Sequence, residues 1–367
     1  YNTLNLWVYG DQSGNSLYVR TGGGEELLVC TLDFIGWKQC SVSMPSGETQ
    51  LIAIGVSGQT EETWAEETGE VTVTHLTPAE GTIYLDQLVA SYGGVIDQEA
   101  PAVSLKAEGA TLIAAISDAV DGVLPQSAVS VTWDGVEQTF AYNTSTGALS
   151  TSTISDGAPH RITVTARDGS GNIGRASYDV PVSEDYTPRF TDTVNYWAAN
   201  FVDYLYNAGI TTGYDDGTFR PNQNISRAQF SVMLYRYLGL DAEDYTGTSL
   251  PFADLASIPA YALPAVQALY SEGIVNGTTG ADGQLYFNPG ASLTRAQAAT
   301  MIGRTQEKGY ATVELTFTDA ASIPGYAGYY IQTMAAQGVI GGYADGSFRP
   351  SANITRGQMA KILYNLM

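Results

Sequence analysis

Positive charge is scarce in this 367-residue chain: 16 Lys/Arg stand against 38 Asp/Glu, a formal net charge of −22. Without clustered basic side chains there is no electrostatic route to nucleic acid or to an anionic lipid surface. No apolar run approaches the ~20 residues needed to span a bilayer, so no membrane insertion is expected. Cysteine is limited to Cys30 and Cys40, and histidine to His75 and His160. That is too little for a thiolate or imidazole metal centre, and HExxH, phosphate-loop and nucleophile-elbow patterns are missing. Paired acids for glycoside hydrolysis come from distant strands, so abundant acids decide nothing. No catalytic residue is assigned. The chain is not expected to be an enzyme by itself, although a catalytic domain is expected to precede Tyr1, where no signal peptide is seen.

Helical periodicity is missing too, but only from the first 185 residues. There, runs such as "LNLWVYG", "SLYVR", "QLIAIGV", "EVTVTHL" and "TIYLDQLVASY" alternate apolar and polar residues between glycine-rich turns, the pattern of β-sandwiches. Gly93-Gly94 and Pro101 separate two sets of strands, giving β-domains at 1–95 and 96–184. Charge divides along the chain as well. Residues 188–367 hold 10 Lys/Arg and 14 Asp/Glu, leaving 6 basic and 24 acidic residues to the first 187. Contact with an anionic polymer would have to use local pockets in the second half.

That half is built from repeats. Phe190-Thr-Asp192, Phe252-Ala-Asp254 and Phe317-Thr-Asp319 open units whose starts lie 62 and 65 residues apart. Each unit offers an aromatic (Trp197, Tyr261, Tyr326) twelve positions before a helix-ending glycine (Gly209, Gly273, Gly338). A second glycine (Gly213, Gly277, Gly342), an Asp-Gly turn and a proline follow, all turn formers or helix stops. Then comes a helix start: "ISRAQ", "LTRAQ" or "ITRGQ". Ser226 with Gln229 reads as a capping box, which puts Arg227 in the first turn, where the helix dipole disfavours a cation. Arg295 and Arg356 repeat the choice. The second helices carry apolar stripes such as Phe230, Met233, Leu234, Tyr237 and Leu238. One stripe cannot be buried alone, so the three second helices are expected to pack on one another as an all-α, pseudo-threefold bundle with units at 185–248, 249–313 and 314–367.

These repeats resemble three tandem S-layer homology domains, whose hallmark is an "ITRAE"-like segment after a G-x-x-x-G-x-x-D-G-T-F-x-P loop. "GITTGYDDGTFRP" and "GVIGGYADGSFRP" are nearly complete versions of that loop. The resemblance implies a cell-wall or S-layer-associated extracellular protein. Its expected partner is an anionic, pyruvylated secondary cell-wall polysaccharide, bound in grooves between units. Arg227, Arg295 and Arg356 would add donors to free helix-start amides to hold a carboxylate. A salt bridge to a loop aspartate is the alternative. Trp197, Tyr261 and Tyr326, with Gly213, Gly277 and Gly342, complete the polysaccharide-binding candidates, and core packing is the competing role for the aromatics. Glutamine replaces the usual glutamate throughout (Gln229, Gln297, Gln358), Gly357 replaces an alanine, and the middle loop carries an insertion. The three grooves should therefore be unequal.

Residues 1–95 resemble the jelly-roll carbohydrate-binding modules of secreted polysaccharide enzymes, with seven strands counted where a jelly roll has eight. If Leu4, Leu6 and Val8 face the core, period-two alternation turns Trp7 and Tyr9 outward beside Tyr18, either to stack on a second glycan or to meet another domain. Cys30 and Cys40 suggest a hairpin-spanning disulfide, with buried free thiols the alternative. No cofactor is expected except calcium, for which Asp11 and Asp86 are the candidates; both also read as ordinary turn and strand residues. Residues 96–184 resemble bacterial immunoglobulin-like or fibronectin-like modules, especially in "HRITVTARDGSGNIGRASYDV", and would serve as a spacer.

Overall fold

A computed structural model describes residues 3–11, 13–47, 50–58, 60–64, 71–75, 84–91, 97, 99–153, 156–306 and 313–367. The chain divides into two compact units, Tyr1–Gln98 and Glu99–Met367. The first contains β1 (Thr3–Asp11), β2 (Ser16–Thr21), β3 (Glu26–Thr31), β4 (Ile35–Ser43), β5 (Leu51–Ser57), β6 (Thr60–Trp64), β7 (Val71–His75) and β8 (Tyr84–Ser91). The extra strand relative to the sequence count is accounted for by β6, "TEETW", whose polar composition hides it. Sheets ordered β4-β1-β8 and β3-β2-β5 share one core of Leu4, Leu6, Val8, Leu17, Val19, Val29, Leu32 and Cys40.

The second face of β1 is covered as well. Asn5 and Trp7 are buried, Trp7 with only 8 % of its surface exposed. The expected open stacking face is therefore closed at Trp7. Tyr9 and Tyr18 are half-buried, and Tyr9 meets the edge of Trp37 at 5.6 Å. Alternation gave the facing of β1 correctly but not its exposure. Asp11 pairs with Ile35 and Asp86 with Trp7 in the strand ladders; the side chains of both calcium candidates, like that of His75, lie outside the described residues.

Cys30 and Cys40 are free thiols. They do not face each other across a hairpin, because β3 and β4 belong to different sheets. The two thiols nevertheless touch across the core, and that contact together with burial pushes Cys40 well above the ordinary thiol range.

The second unit opens with β9 (Ala102–Glu108), β10 (Thr111–Ser117), β11 (Val129–Trp133), β12 (Val136–Glu137), β13 (Ala141–Asn143), β14 (Ala148–Ser152), β15 (Arg161–Arg167) and β16 (Ile173–Asp179). They form sheets β13-β14-β10-β9 and β12-β11-β15-β16. Alternate residues of both, including Leu112, Ile116, Leu149, Val131, Ile162 and Val164, fill one core. Then follow α1 (Ala199–Asn207), α2 (Arg227–Tyr237), α3 (Leu263–Ser271), the small hairpin β17 (Thr278–Thr279) and β18 (Leu285–Tyr286), α4 (Arg295–Gly303), α5 (Gly325–Ala336) and α6 (Arg356–Leu366). Among the described residues, no helix is long and apolar enough to cross a membrane.

The sheets of β9–β16 dock on the last helix. Arg161 donates to Asn365 at 3.2 Å and lies over the Tyr364 ring at 4.8 Å, and the Thr163 hydroxyl donates to the Met367 carbonyl at 2.6 Å. His160 is held by Asp134 at 2.6 Å and Asp156 at 3.0 Å, with no nucleophile in the arrangement.

All three second helices start with capping boxes, at Ser226/Gln229, Thr294/Gln297 and Thr355/Gln358. The expected stripes are largely buried: Phe230, Met233 and Leu234 in α2, and Met359, Ile362, Leu363 and Leu366 in α6. Their partners differ from expectation. The main helix contacts are α2 with α3, α4 with α5 and α6 with α1, so each second helix packs on the first helix of the next repeat. The segments leading into these helices explain why. Ile225 N–H donates to Ile354 C=O, Ile354 N–H to Leu293 C=O and Leu293 N–H to Ile225 C=O, at 3.1, 2.9 and 3.2 Å. This closed ring of backbone bonds fixes each helix start beside its neighbour's loop.

Candidate functional site

The FxD opening of each repeat organises that loop. Both carboxylate oxygens of Asp192 accept consecutive amides, from Phe219 at 2.8 Å and Arg220 at 2.7 Å. Asp254 does the same for Phe287 and Asn288, and Asp319 for Phe348 and Arg349. The result is a left-handed residue at one place in every repeat: Arg220 (φ 57°), Asn288 (φ 57°) and Arg349 (φ 58°). Asparagine tolerates that conformation, whereas arginine is strained in it.

Gly213, Gly277 and Gly342 explain themselves by packing. A Cβ on them would stand 2.1 Å from Phe190, 2.7 Å from Phe252 and 3.0 Å from Phe317, the phenylalanines that open the repeats. Phe190 and Gly213 therefore appear together in sequence because they touch, and the same holds for the other two pairs.

The helix-start arginines are almost fully buried, at 8, 6 and 5 % exposure for Arg227, Arg295 and Arg356. Each reaches into the next repeat. Nε donates from Arg227 to Phe287 C=O at 2.7 Å, from Arg295 to Phe348 C=O at 2.8 Å and from Arg356 to Phe219 C=O at 2.7 Å. None is in an ion pair among the described residues; the alternative of a salt bridge gives way to a backbone clamp.

The helix-start amides are not free either. Arg227 and Ala228 N–H donate to Ala291 and Pro289 C=O, Arg295 and Ala296 to Ala352 and Pro350, and Arg356 and Gly357 to Gln223 and Pro221. The neighbouring repeat already occupies the positive end of each helix. A carboxylate at that position, expected from sequence, would have to displace a packed loop.

What remains open lies around the guanidinium tips. In Arg227 and Arg356, Nε is the only side-chain nitrogen with a hydrogen-bond partner among the described residues; Arg295 also donates from Nη2 to Gly341 C=O at 2.9 Å. Two guanidinium groups lie over the Tyr214 ring, Arg220 at 4.0 Å and Arg356 at 4.9 Å from its centre. Tyr343 likewise meets Arg349 at 4.2 Å and Arg295 at 4.9 Å. The tyrosine hydroxyls accept from Gln229 at 3.0 Å and Gln358 at 3.1 Å. Glutamine thus both caps the helix and fixes the tyrosine, which a carboxylate could not do as a donor.

Burial pulls Arg356 below its ordinary value and nearby Arg220 pulls it further, with Tyr214, Asp192 and Tyr261 opposing. Burial does the same to Arg295, with Tyr343 opposing and Arg349 adding to the fall. Both arginines stay charged, and neither has an ion-pair partner among the described residues. The outer arginines are oriented by Asp216 at 2.9 Å and Asp345 at 2.6 Å.

The middle loop differs. Asn288 stands in the place of the outer arginine, Thr278 in the place of the tyrosine, and β17–β18 fills the insertion, with Tyr286 donating to Asp282 at 2.7 Å. Arg227 lies over Phe287 at 5.2 Å, and burial lowers it. The expected inequality of the grooves is a difference between one loop and the other two.

Trp197, Tyr261 and Tyr326 are exposed by 55, 62 and 42 %, so none of them is core. Trp197 continues into an aromatic strip with Tyr196 and Phe201, ring centroids 5.5 and 6.3 Å away. Gly357 also has a packing reason: an alanine Cβ there would come within 3.0 Å of Tyr196. The residues missed from sequence are Tyr214, Tyr343, Arg220 and Arg349. Their signal was present, since the G-Y-x-D-G-x-F-R pattern occurs in two loops and fails in the third.

Comparison with known proteins follows the repeat boundaries. Residues 189–231, 251–299 and 316–360 match the S-layer homology domain. Among curated relatives, an amylopullulanase of Thermoanaerobacterium thermosulfurigenes is 30 % identical over 209 residues, 56 % of this chain and 11 % of its own length. A cellulosome-anchoring protein of Acetivibrio thermocellus is 34 % identical over 162 residues, 43 % of this chain and 35 % of its own. A surface-layer 125 kDa protein of Lysinibacillus sphaericus is 30 % identical over 190 residues, 51 % of this chain and 15 % of its own. The chain thus spans a small part of the relatives it matches.

Proposed function

Because residues 189–360 carry three S-layer homology domains, we propose that this chain is a non-covalent anchor to an anionic, pyruvylated secondary cell-wall polysaccharide. The observation that carries this reading is the repeated arginine–tyrosine–arginine stack. Two guanidinium groups gathered at one aromatic ring suit a carboxylate on a pyranose. Exposed Trp197, Tyr261 and Tyr326 offer flat surfaces for the polymer to run along. Cyclic helix pairing and the ring of backbone bonds support a pseudo-threefold arrangement in which the loops of repeats 1 and 3 are the working grooves. The domains and the surface-layer relatives put the chain at the cell surface.

In the same reading the sheets of 1–98 form a jelly-roll-like module and those of 99–184 an immunoglobulin-like spacer, held to α6 by Arg161 and Thr163. Cys30 and Cys40 close to a sheet-to-sheet disulfide on exposure to an exported thiol oxidant, and intact mass then falls by two hydrogens. The anchored cargo is a polysaccharide hydrolase encoded upstream of Tyr1, as the amylopullulanase relative suggests. The surface-layer relative favours a second reading, a lattice or adhesin component with the same anchor. Reading the gene upstream separates the two.

The decisive experiment is sedimentation of the chain with purified walls, before and after chemical removal of the acidic polysaccharide. Binding is expected only before removal, and the double variant Tyr214→Ala/Tyr343→Ala is expected to stay in solution. Equal binding to stripped walls sinks the proposal.

A further inference from the structure

The spacer-like domain carries a polar cluster that wall anchoring does not use. Two turns meet at the end of β15 that lies away from the α6 contact. One is Asp118–Gly122, closed by paired backbone bonds between its ends at 2.8 and 3.1 Å. The other is Asp168–Asn172, in which Asp168 accepts the Asn172 amide at 2.8 Å and its side-chain NH2 at 2.7 Å. Gly169 N–H donates to Asp121 at 2.7 Å and ties the turns together.

Asp118 and Asp168 are both buried, at 8 and 6 % exposure, and offer carboxylate oxygens within 4.8 Å of each other. Asp118 Oδ1 accepts two amides, from Val120 and Asp121, each at 2.8 Å. Among the described residues, Oδ2 of the same carboxylate is buried without a hydrogen-bond partner, and no Lys or Arg pairs with Asp118. An ionised carboxylate oxygen left bare in a buried site is strongly unfavourable. A second buried carboxylate beside it makes matters worse. With Oδ1 already taken up by two amides, Oδ2 is the oxygen left to a cation.

We propose that Asp118 and Asp168 hold a calcium ion that pins the two turns. An all-oxygen set of hard carboxylates suits Ca²⁺, which accepts irregular coordination, over Mg²⁺, which demands an octahedron, and over zinc, which favours nitrogen and sulfur. The expected affinity is that of extracellular modules, a Kd on the order of 10⁻⁴ to 10⁻³ M. The ion stiffens the end of the domain where the chain enters, since Ala102 pairs with Ser117 directly before Asp118.

The test is hydrogen–deuterium exchange of the whole chain in EGTA, in about 5 mM magnesium chloride and in about 5 mM calcium chloride, a level chosen to saturate such a site. Calcium alone is expected to slow exchange in peptides covering 116–123 and 166–174. Asp118→Asn and Asp168→Asn are each expected to abolish that protection while exchange in α2, α4 and α6 stays unchanged. Identical exchange in calcium and EGTA overturns the proposal, and so does calcium protection that survives Asp118→Asn. Protection gained only on acidification assigns the space to a proton and overturns it too. Should a variant fold poorly, the wild-type comparison across the three solutions still decides.

Discussion

The loops of repeats 1 and 3 and the loop of repeat 2 receive the same buried arginine on the same backbone carbonyl, yet they differ in everything around its tip. Nε of Arg356, Arg295 and Arg227 is used identically. Only the first two arginines face a tyrosine backed by a second guanidinium. What is common to all three is architecture: the side chain closes the joint between successive repeats. What two share and one lacks is the part proposed to meet the polysaccharide. A conserved-looking motif can therefore carry two roles on one side chain, and the variation among the repeats separates them.

The largest test removes the common part. Each of Arg227→Gln, Arg295→Gln and Arg356→Gln is expected to lower stability by roughly 1.5–3 kcal/mol, the loss of a charge-assisted bond to a buried carbonyl. The triple variant, with about 5–9 kcal/mol removed, is expected not to fold. Denaturant unfolding checks this. Neutral behaviour of Arg227→Gln would show that the joint does not depend on it.

Next comes the part that differs. Arg220→Asn with Arg349→Asn copies the residue of the middle loop into the other two. Wall affinity is expected to fall roughly tenfold or more through lost ionic hydrogen bonding, with thermal stability held or slightly raised because asparagine accepts the left-handed backbone. Asn288→Arg should not create binding by itself, since Thr278 supplies no ring. Sedimentation with walls and thermal unfolding on the same preparations read both.

A smaller effect is expected at the third helix start. Gly357→Ala pushes a methyl toward Tyr196 and is expected to cost about 1 kcal/mol, at the low end of overpacking. Its absence on unfolding curves would mean that the glycine is not a packing requirement.

The smallest effect lies outside the loops and serves as their control. Burial opposes protonation of His160, but hydrogen bonds to Asp134 and Asp156 outweigh it and raise its pKa above 6.5. A raised folded value stabilises the protein fully below the unfolded value of about 6.5 and loses that contribution as pH rises through the folded one. The stability gap between wild type and His160→Gln should therefore be wider at about pH 5.5, below the ordinary histidine value, than at about pH 9, well above it, with wall binding by the variant unaffected at either pH.

Sequence alone determined the repeats, the capping boxes, the turns and the β-to-α change of character. Those depend on local chemistry: Ser226 and Gln229 satisfy each other within one helical turn, and Gly209 or Asp216-Gly217 adopt their angles whatever lies beyond. It also marked Arg227, Arg295 and Arg356 as unusual, because a cation in a first helical turn is a local conflict. Tertiary structure decided what those arginines touch. Their partners are carbonyls 60, 53 and 137 residues away in sequence, and no spacing rule reports a bond between repeats. It likewise decided that second helices pack on first helices, that Trp7 is covered, and that Asp118 and Asp168 share one pocket. In each case the physical reason is the same: burial and long-range hydrogen bonding depend on which surfaces meet, and periodicity within one element specifies only which face is apolar.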